Sequence, residues 1–331
     1  MKINIFGSTL QAAVFAGLFA ESGHHVDWCL YPSNSDETQT PEYQDHHVNQ
    51  LIEKQQKTGF LKRITQQQCD FKHDVLLLSY ANTEYALAEQ VIQRLAQHDS
   101  SQHNSSQPKL IMNGSTFGLH ETEKLSHLCP EHLWAYLPDN IQEGNALNSV
   151  VQMQKIIVGV SNDATAKMIT ELFRPLFPAK QQYLFMPILD AEFTKLSISG
   201  MLATRISYMN DLANVSEKLG IDIQNVQQGL AADNRIGGSY LSPGAGFGGE
   251  NFSHDILTLS NTVSATGVKS RLLDQVWSIN EQQKEILFRK LWNYFQGDLK
   301  GRKVAIWGAS FKENTNSIQN SSIHPLLKAL W

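Results

Sequence analysis

The chain has 331 residues, 41% of them hydrophobic and 18% charged, and its formal net charge is −5. This length predicts two domains and part of a third, with enough apolar material for sizeable cores. Because the net charge is negative and no Lys/Arg-rich run occurs, nucleic acid and anionic membrane surfaces are excluded as expected partners. The first residues enter a strand without a signal-peptide core, and no apolar run approaches about 18 residues, which predicts a cytoplasmic protein without membrane spans.

The three cysteines are Cys29, Cys69 and Cys129. Their number is odd, their spacing is wide and no C-x-x-C pair occurs, so neither a disulfide framework nor a zinc site is expected. Cys29 lies in an apolar strand pattern and is interpreted as a small core residue. We therefore predict no metal site.

The N-terminal part of the chain follows a strand–helix–strand pattern. Residues 2–6 read as a buried strand, Gly7 follows, a helix runs from about Leu10 to Ser22, and residues 24–31 form the next strand. This β-α-β unit begins a doubly wound, Rossmann-like sheet. Further strands are predicted at 74–79, 109–112, 133–137, 155–160 and 183–186, with helices at 83–96 and 163–173 and polar loops at 32–47 and 99–108. We place this first, NAD-binding-like domain at residues 1–187.

A long helix is predicted next, from Ala191 to Leu219, because apolar residues recur there at three- and four-residue steps. Asp190 is its expected N-cap and Gly220 its expected C-cap. A helix of roughly 29 residues would span about 44 Å, which is long for one small core and suits a helix shared between two subunits. The sequence thus predicts an all-helical dimerisation domain at 188–298 and a homodimer formed through the 190–219 helix.

The C-terminal residues restart a strand–glycine–helix pattern. Residues 302–308 read R-K-V-A-I-W-G and are predicted to form a strand, but only about 30 residues of the pattern are present. A doubly wound sheet needs several such units. We therefore predict that 299–331 is the start of an incomplete third α/β unit, so that the overall fold class is α/β.

The turn after the first strand carries part of a dinucleotide-binding fingerprint. Gly7 and Ala12 satisfy the first and third positions of G-x-G-x-x-G/A, but Thr9 replaces the second glycine. The acid expected at the end of the second strand is absent near Leu30, and Asp27 has the wrong phase. Gly7, Thr9 and Leu10 are the candidate cofactor residues at this helix N-terminus. Two interpretations remain open, a working NAD site and a structural relic.

A glycine-rich segment, Gly244–Asp255, reads G-A-G-F-G-G-E-N-F-S-H-D. Upstream lie two further motifs, A-E-F-T-K followed by L-A-T-R-I-S-Y-M-N within residues 191–210, and D-N-R-I-G at 233–237. In this order and register, the segments resemble the active-site loop, central helix and D-x-R-I-G motif of the nucleotide-sugar dehydrogenases, the UDP-glucose and GDP-mannose 6-dehydrogenase family. The resemblance covers nearly the whole chain and is strongest over 190–255.

The resemblance implies an enzyme that oxidises a sugar alcohol to a carboxylate with NAD, through a cysteine nucleophile that forms a thiohemiacetal and then a thioester. Asn251 stands at the cysteine position, and an amide forms neither species. The resemblance implies a proton-transfer or oxyanion role for Lys195, with Ser199 replacing an asparagine four residues later, and it assigns Asp255 to the active-site loop. A surface charge for Lys195 and a helix N-cap for Asp255 are the competing structural interpretations.

The remaining candidates also come from the resemblance. Glu143 and Asp139 match a segment with two functional glutamates, and Thr116 matches a Ser-Thr pair near the cofactor. Arg235 matches an arginine that reaches the sugar nucleotide across the dimer interface, with a surface ion pair as its competing interpretation. Further expected substrate contacts are Phe247, Gly248, Gly249 and Lys312. The resemblance also implies that 299–331 is the start of a UDP-binding-like domain. In the segment after Trp307, neutral residues stand where the family has charges, namely Ser317, Gln319 and Asn320.

Two functions are compatible with these observations. In the first, the chain has lost its chemistry and acts as a dimeric nucleotide-sugar-binding or regulatory protein, for example in polysaccharide synthesis. In the second, it is an active oxidoreductase with an altered substrate or a two-electron reaction from alcohol to aldehyde. Loss of a covalent nucleophile costs several powers of ten in rate, which favours the first.

Overall fold

The computed structural model describes residues 1–30, 43–65, 68–101, 107–268 and 271–331. Their contacts divide the chain into two compact units, Met1–Lys195 and Leu196–Trp331. We call these the sheet unit and the helical unit and describe each by itself. The predicted division at 187 and 298 stays a prediction.

The described part of the sheet unit contains eight strands. They are β1 (Lys2–Phe6), β2 (His25–Cys29), β3 (Leu61–Ile64), β4 (Val75–Leu78), β5 (Leu110–Asn113), β6 (Leu133–Tyr136), β7 (Ile156–Val160) and β8 (Tyr183–Met186). The strand order is β3-β2-β1-β4-β5-β6-β7-β8, and all neighbours are parallel except β6 and β7. The predicted doubly wound α/β sheet is confirmed, and the turn after β1 lies at its crossover point.

The described residues of this unit form six α-helices before the long central helix: α1 (Leu10–Glu21), α2 (His46–Thr58), α3 (Tyr85–Ser101), α4 (Glu121–Ser126), α5 (Ala146–Val151) and α6 (Asp163–Phe173). The core divides into two layers because successive strand residues point to opposite faces. Val75 and Leu77 belong to one apolar cluster with α1 and α6, while Leu76 and Leu78 belong to another with α3. A continuous apolar strand such as β4 is therefore buried on both faces.

The helical unit contains α8 (Ile223–Ala232), α9 (Glu250–Ala265), α10 (Arg271–Gln283), α11 (Ile286–Tyr294) and α12 (Ile323–Leu330), together with most of α7 (Ile188–Leu219). The long central helix is confirmed and begins three residues before its predicted start at Ala191. Ala203 of α7, Ile256 of α9 and Val276 of α10 meet Phe247 in a small core. Among the described residues, no helix is long and apolar enough to cross a membrane.

The prediction of a strand at 302–308 is wrong. These residues form no strand, and Trp307 is fully exposed. The apolar pattern alone does not make a strand, because its backbone groups need a paired neighbour, and the described part of the helical unit contains no strand.

Four elements of the sheet unit were not anticipated, namely the helices α2, α4 and α5 and the strand β3. The expected polar loop at 32–47 gives way to α2 at His46, where the side chain of Asp45 caps the helix by accepting hydrogen bonds from His47 and Val48. Residues 32–42 of that loop lie outside the described residues. Helix α3 continues to Ser101 into the expected loop at 99–108, of which 102–106 are not described either.

Candidate functional site

The turn after β1 requires its glycine. Gly7 has φ of 109°, and a Cβ built on it would lie 1.9 Å from the backbone oxygen of Ser79, which follows β4. The Gly7 amide donates to the Cys29 carbonyl at 3.0 Å. The turn is thus packed tightly between the carboxyl ends of β2 and β4, where dinucleotides bind in sheets of this kind.

Thr9, the residue at the second fingerprint position, caps helix α1. Its Oγ1 accepts a hydrogen bond from the Ala12 amide at 3.2 Å and donates to the Ser79 carbonyl at 3.2 Å. The hydroxyl of Ser79 in turn donates to Gln11 Oε1 at 2.8 Å, and Gln11 Nε2 donates to the Leu137 carbonyl at 3.2 Å. The Thr9 side chain therefore serves an internal network, and Leu10 is the first residue of the helix that it caps.

An aromatic and cationic cluster occupies the edge beyond this turn. Trp28 Nε1 donates to the Gly7 carbonyl at 2.9 Å, and the Tyr43 hydroxyl donates to the Ser8 carbonyl at 2.8 Å. The two rings stack with centroids 6.5 Å apart, and the Arg63 guanidinium lies 5.8 Å from the Trp28 ring centroid. Burial raises the pKa of the Tyr43 hydroxyl and lowers the pKa of Arg63.

The end of β2 does not fit the adenosine ribose of NAD. A carboxylate normally accepts the ribose hydroxyls at this place, but β2 ends with Trp28 and Cys29, followed by Leu30. The Asp27 carboxylate lies 2.8 Å from the His73 ring, as expected for a strand residue whose alternation differs from that of the missing acid. Gly7 keeps the tight turn before α1, but Thr9 stands where a second glycine would allow close approach of the pyrophosphate. The neighbouring edge provides the Arg63 cation in place of an acid. We therefore derive no reaction step through NAD.

Three other candidates lie in the sheet unit beyond strand ends. Thr116 follows β5 and is half-buried, next to Ser115, whose hydroxyl accepts from the Tyr80 amide at 2.7 Å. Asp139 follows β6, and its Oδ1 accepts from the Ile141 amide at 3.1 Å. Glu143 is half-buried in the same connection to α5. Because β5 and β6 are parallel neighbours of the central strands, Thr116 and Asp139 lie along the carboxyl edge that contains the Gly7 turn.

The glycine-rich loop of the helical unit is held by side-chain amides. The Gly244 amide donates to Asn210 Oδ1 at 2.7 Å. Asn280 accepts from the Phe247 amide at 2.7 Å and donates to its carbonyl at 3.1 Å. Gly249, with φ of 87°, donates its amide to the Gln319 carbonyl at 2.8 Å. The loop conformation is therefore fixed by several independent bonds within the unit.

Close packing explains the two glycines at the end of this loop. A Cβ on Gly248 would lie 2.6 Å from the Asn320 carbonyl oxygen, and one on Gly249 would lie 3.0 Å from the Phe311 ring. Phe247 is buried beside Phe252 and Trp277. These positions have a structural role in the unit, and the substrate contacts predicted for them stay a prediction.

Helix α9 presents Asn251 in its first turn and Asp255 one turn later. Asn251 is exposed, whereas Asp255 is buried and accepts a hydrogen bond from the Ser199 hydroxyl of α7 at 2.7 Å. Between them, burial lowers the pKa of His254 although Asp255 and Glu250 act to raise it. Sequence reasoning placed Ser199 and Asp255 in one site, and the structure brings them together.

Lys195 lies on α7 one turn before Ser199 and is buried, with 8% exposure. This excludes the solvated surface charge as its interpretation. Glu192, from the same motif, is buried and accepts from the amides of His120 at 2.8 Å and Thr122 at 3.0 Å. Burial raises the pKa of the Glu192 carboxyl, and its two bonds fix the start of α4.

Arg235 and Lys312 are not drawn into a site within the helical unit. The Arg235 side chain is 88% exposed and pairs with its neighbour Asp233 at 2.6 Å. Lys312 Nζ lies 5.5 Å from the Phe311 ring centroid. For Arg235 the surface ion pair describes this chain, and its predicted reach across a dimer interface stays a prediction.

The arrangement permits limited chemistry. The amide of Asn251 cannot act as a covalent nucleophile because its nitrogen lone pair is delocalised, unlike a thiolate. Asp255 and Ser199 form a buried polar pair that fixes α9 against α7. Asn251 is left as an exposed amide that can donate and accept hydrogen bonds.

Sequence reasoning missed the residues that surround the two glycine segments, namely Gln11, Ser79, Tyr43, Arg63 and Asn280. The sequence contained a signal for Gln11, because it is a polar residue in the apolar run of α1. In the structure its side chain is only 1% exposed. A buried polar side chain needs a partner. The others depend on contacts between segments distant in sequence, such as Tyr43 with Ser8.

Comparison with known proteins agrees with the resemblance. Residues 189–282 match the sequence model of the UDP-glucose/GDP-mannose dehydrogenase family, central domain. The chain is 34% identical over 193 residues to UDP-glucose 6-dehydrogenase of Pseudomonas aeruginosa and 32% identical over 196 residues to UDP-glucose 6-dehydrogenase TuaD of Bacillus subtilis. Each alignment covers 58% of this chain but only 43% and 42% of those relatives, so the matched part spans less than half of their length.

Solved structures show the same fold over the whole chain. A UDP-glucose dehydrogenase from Pyrobaculum islandicum has a TM-score of 0.88 at 22% identity, covering 99% of this chain and 79% of that one. A UDP-D-ManNAc dehydrogenase from Pyrococcus horikoshii has a TM-score of 0.85 at 18% identity, covering 100% and 81%. With the motifs at 191–210, 233–237 and 244–255, these findings show that the chain contains the central domain of the UDP-glucose/GDP-mannose dehydrogenase family and is related in sequence to UDP-glucose 6-dehydrogenases.

Proposed function

We propose that this chain is a nucleotide-sugar-binding member of its family that does not carry out the four-electron oxidation of a sugar alcohol to a carboxylate. The observation that carries the proposal is Asn251, exposed in the first turn of α9 at the nucleophile position. An amide there leaves an aldehyde intermediate without a covalent acceptor.

The proposal is supported by what surrounds Asn251. The loop is still held by Asn210, Asn280 and the Gln319 carbonyl, so a shaped binding surface persists without its reactive atom. The end of β2 lacks the carboxylate that NAD needs. We infer a binding or regulatory role, in polysaccharide synthesis and in the cytoplasm, since relatives of this chain are UDP-glucose 6-dehydrogenases.

The test measures turnover and binding separately. The chain is incubated with UDP-glucose or GDP-mannose and with either NAD or NADP, and reduced nicotinamide is followed by absorbance. The Pseudomonas aeruginosa relative serves as the positive control. We expect no product above background, and saturable binding of a nucleotide sugar by calorimetry. Two reduced nicotinamides per sugar would contradict the proposal, as would absence of any nucleotide-sugar binding.

A substitution at the nucleophile position sharpens this test. Asn251→Cys restores a thiol, and Asn251→Ala removes the amide without adding one. If the missing nucleophile is the main defect, only the cysteine variant gains aldehyde capture, detected as a mass increase on the introduced thiol with a sugar-aldehyde probe. Equal aldehyde capture by the wild type and both variants would show that Asn251 is not the determinant.

We further propose that the chain forms a homodimer through α7. Met201, Tyr208 and Val215 of α7 recur at seven-residue spacing, so they share one face, and all three are exposed, by 63%, 55% and 49%. An exposed apolar stripe of this kind on a long helix is typical of an association surface.

Light scattering after size-exclusion chromatography tests this proposal. Tyr208→Glu places a charge in the stripe and is expected to convert the dimer into a monomer, whereas Val151→Glu, at an exposed apolar position of the sheet unit, leaves it a dimer. A monomeric wild-type chain, or a Tyr208→Glu variant that stays dimeric, would refute dimerisation through α7.

The alternative function is a two-electron oxidation from alcohol to aldehyde, which needs no thiolate. The retained residues Lys195, Glu143 and Asp255 favour it, with Lys195 buried and Asp255 bonded to Ser199. It requires hydride acceptance by a nicotinamide cofactor when one is bound. One reduced nicotinamide per sugar, together with an aldehyde trapped by hydroxylamine, would establish this reaction; no trapped aldehyde would exclude it.

A further inference from the structure

We propose that the sheet unit binds an adenine dinucleotide carrying a 2′-phosphate, of the NADP class, with Arg63 as the residue that selects the phosphate. This inference concerns the sheet unit alone. It is independent of whether the chain oxidises a sugar, so either can fail without the other.

Arg63 lies on β3 in register with Trp28 of β2, one residue before the carboxyl ends of both strands. Trp28 is bonded to the Gly7 carbonyl, and Tyr43, stacked on Trp28, is bonded to the Ser8 carbonyl. The guanidinium is therefore connected through two aromatic rings to the turn after β1, at the crossover point of the sheet where dinucleotides bind.

The Arg63 guanidinium has unmet hydrogen-bonding capacity. Its Nε and Nη2 are buried without a hydrogen-bond partner among the residues described. The ring of Trp28, at 5.8 Å, offers only a cation–π contact. A buried guanidinium with unused donors is costly unless an anion accepts from it, and its planar fork suits a phosphate.

The edge formed by the carboxyl ends of β2 and β3 differs in its charges from an NAD site. In sheets of this class, an acid after β2 accepts the ribose hydroxyls of NAD, while a nearby arginine accommodates the 2′-phosphate of NADP. Here the acid is missing, with Leu30 following β2, and the arginine is present on the adjacent strand. An edge without the acid and with an arginine suits a ribose that carries a 2′-phosphate better than the unmodified ribose of NAD.

Calorimetric titration with two small probes tests the proposal. The probes are 2′,5′-ADP, which carries the ribose 2′-phosphate, and ordinary 5′-ADP, which does not. We expect 2′,5′-ADP to bind at least about tenfold more tightly to the wild-type chain. Equal affinity for the two probes would overturn the proposal, and so would absence of binding by 2′,5′-ADP.

Matched variants assign the preference to one side chain. Arg63→Gln is expected to reduce the affinity for 2′,5′-ADP to that for 5′-ADP. Lys62→Gln removes the same charge from the adjacent, exposed residue of β3, which points to the opposite face, and is expected to keep the preference. Retention of the preference by Arg63→Gln, or its loss in Lys62→Gln alone, would overturn the assignment.

Arg63→Lys keeps a positive charge but loses the planar fork, so we expect an intermediate preference. This variant also serves if Arg63→Gln does not fold, as judged by a lost cooperative melting transition. In that case, wild-type affinities for the two probes and the weakened preference of Arg63→Lys decide the question. An Arg63→Lys preference equal to that of wild type would contradict selection by the guanidinium.

Discussion

The Gly7 turn of the sheet unit and the glycine-rich loop of the helical unit both lead from a glycine segment into a helix, but they differ in what holds them. In the loop, the glycine backbone is fixed by Asn210, Asn280 and the Gln319 carbonyl. In the turn, Gly7 is fixed by the nearby Ser79 backbone, and Thr9 has become the cap of α1.

The difference separates two reasons for a glycine. Gly7 and Gly248 face backbone oxygens at distances that leave no room for a Cβ, 1.9 and 2.6 Å. The second glycine of a dinucleotide fingerprint serves the approach of a ligand, and that position tolerates Thr9. Gly7 and Gly248 are thus explained by the fold itself, whereas the fold places no such steric demand on the position of Thr9.

The largest expected effect is that of Gly7→Ala. Its methyl group would collide with the Ser79 carbonyl at 1.9 Å, and φ of 109° is unfavourable for alanine. We expect loss of at least about 4 kcal/mol in the free energy of unfolding, the range reached only by severe core lesions. Urea denaturation followed by circular dichroism measures it.

Gly59→Ala is the matched control, because Gly59 also has positive φ, 80°, but no atom lies within 4 Å of the place its methyl group would take. Backbone strain alone costs about 1 to 3 kcal/mol. If Gly7→Ala is no more destabilising than Gly59→Ala, the close approach to Ser79 is not what requires the glycine.

A second variant, Gly248→Ala, applies the same reasoning to the loop. The methyl group would lie 2.6 Å from the Asn320 carbonyl, and we expect a loss of about 1 to 3 kcal/mol, as for an overpacked contact. Gly244→Ala is the control because nothing lies within 4 Å of a Cβ there. Thermal melts of both variants would contradict this view of the loop if they gave the same shift.

A smaller effect is expected from Ser199→Ala. This change removes the hydroxyl that donates to buried Asp255 at 2.7 Å, and leaving a buried carboxylate with one bond fewer costs about 1 to 3 kcal/mol. Ser242→Ala, at an exposed hydroxyl, should be nearly neutral. Comparable urea midpoints for the two variants would show that the Ser199–Asp255 bond adds little.

The sequence allowed the sheet and the long helix to be predicted because their signals are local and repeated. Apolar runs such as 75–78 predict buried parallel strands, and the periodicity of 191–219 predicts a helix. The same reasoning failed at 302–308, where an apolar pattern has no strand to pair with in the described helical unit.

Within the candidate site, the motif positions could be predicted but their surroundings could not. Ser199 and Asp255 were assigned to one site from the resemblance, and they are bonded. The bond from Tyr43 to Ser8 joins residues 35 apart, and that from Gln11 to Leu137 joins residues 126 apart. Such pairings depend on the folded sheet, and no local pattern encodes them.

The smallest expected effect is a change in stability with pH, which compares one imidazole in each unit. Burial lowers the pKa of His24, which is further lowered by the N-terminal ammonium although the Leu172 carbonyl acts to raise it. Burial likewise lowers the pKa of His254 beside Asn251. The unfolded chain, with histidine pKa near 6.5, therefore binds protons at a higher pH than the folded chain does. The contribution of the neutral rings to the free energy of unfolding is therefore fully present above a pH of about 6.5. It is lost as the pH falls toward the pKa values of the folded chain.

Urea midpoints measured at pH 7.5 and 5.5 should accordingly fall on acidification, and each substitution should lessen that fall. His24→Gln tests the sheet unit and His254→Gln the helical unit, with exposed His47→Gln as the control for loss of a surface imidazole. We expect the larger change for His24, because its ring is more completely buried, at 9% exposure, whereas His254 is only half-buried. An equal or steeper fall in His24→Gln would contradict this account. If His254→Gln reduced the acid-induced fall in the urea midpoint more than His24→Gln did, the surroundings of Asn251 would disfavour a charged imidazole more strongly than the sheet core does. The order of the two units in this comparison would then be reversed.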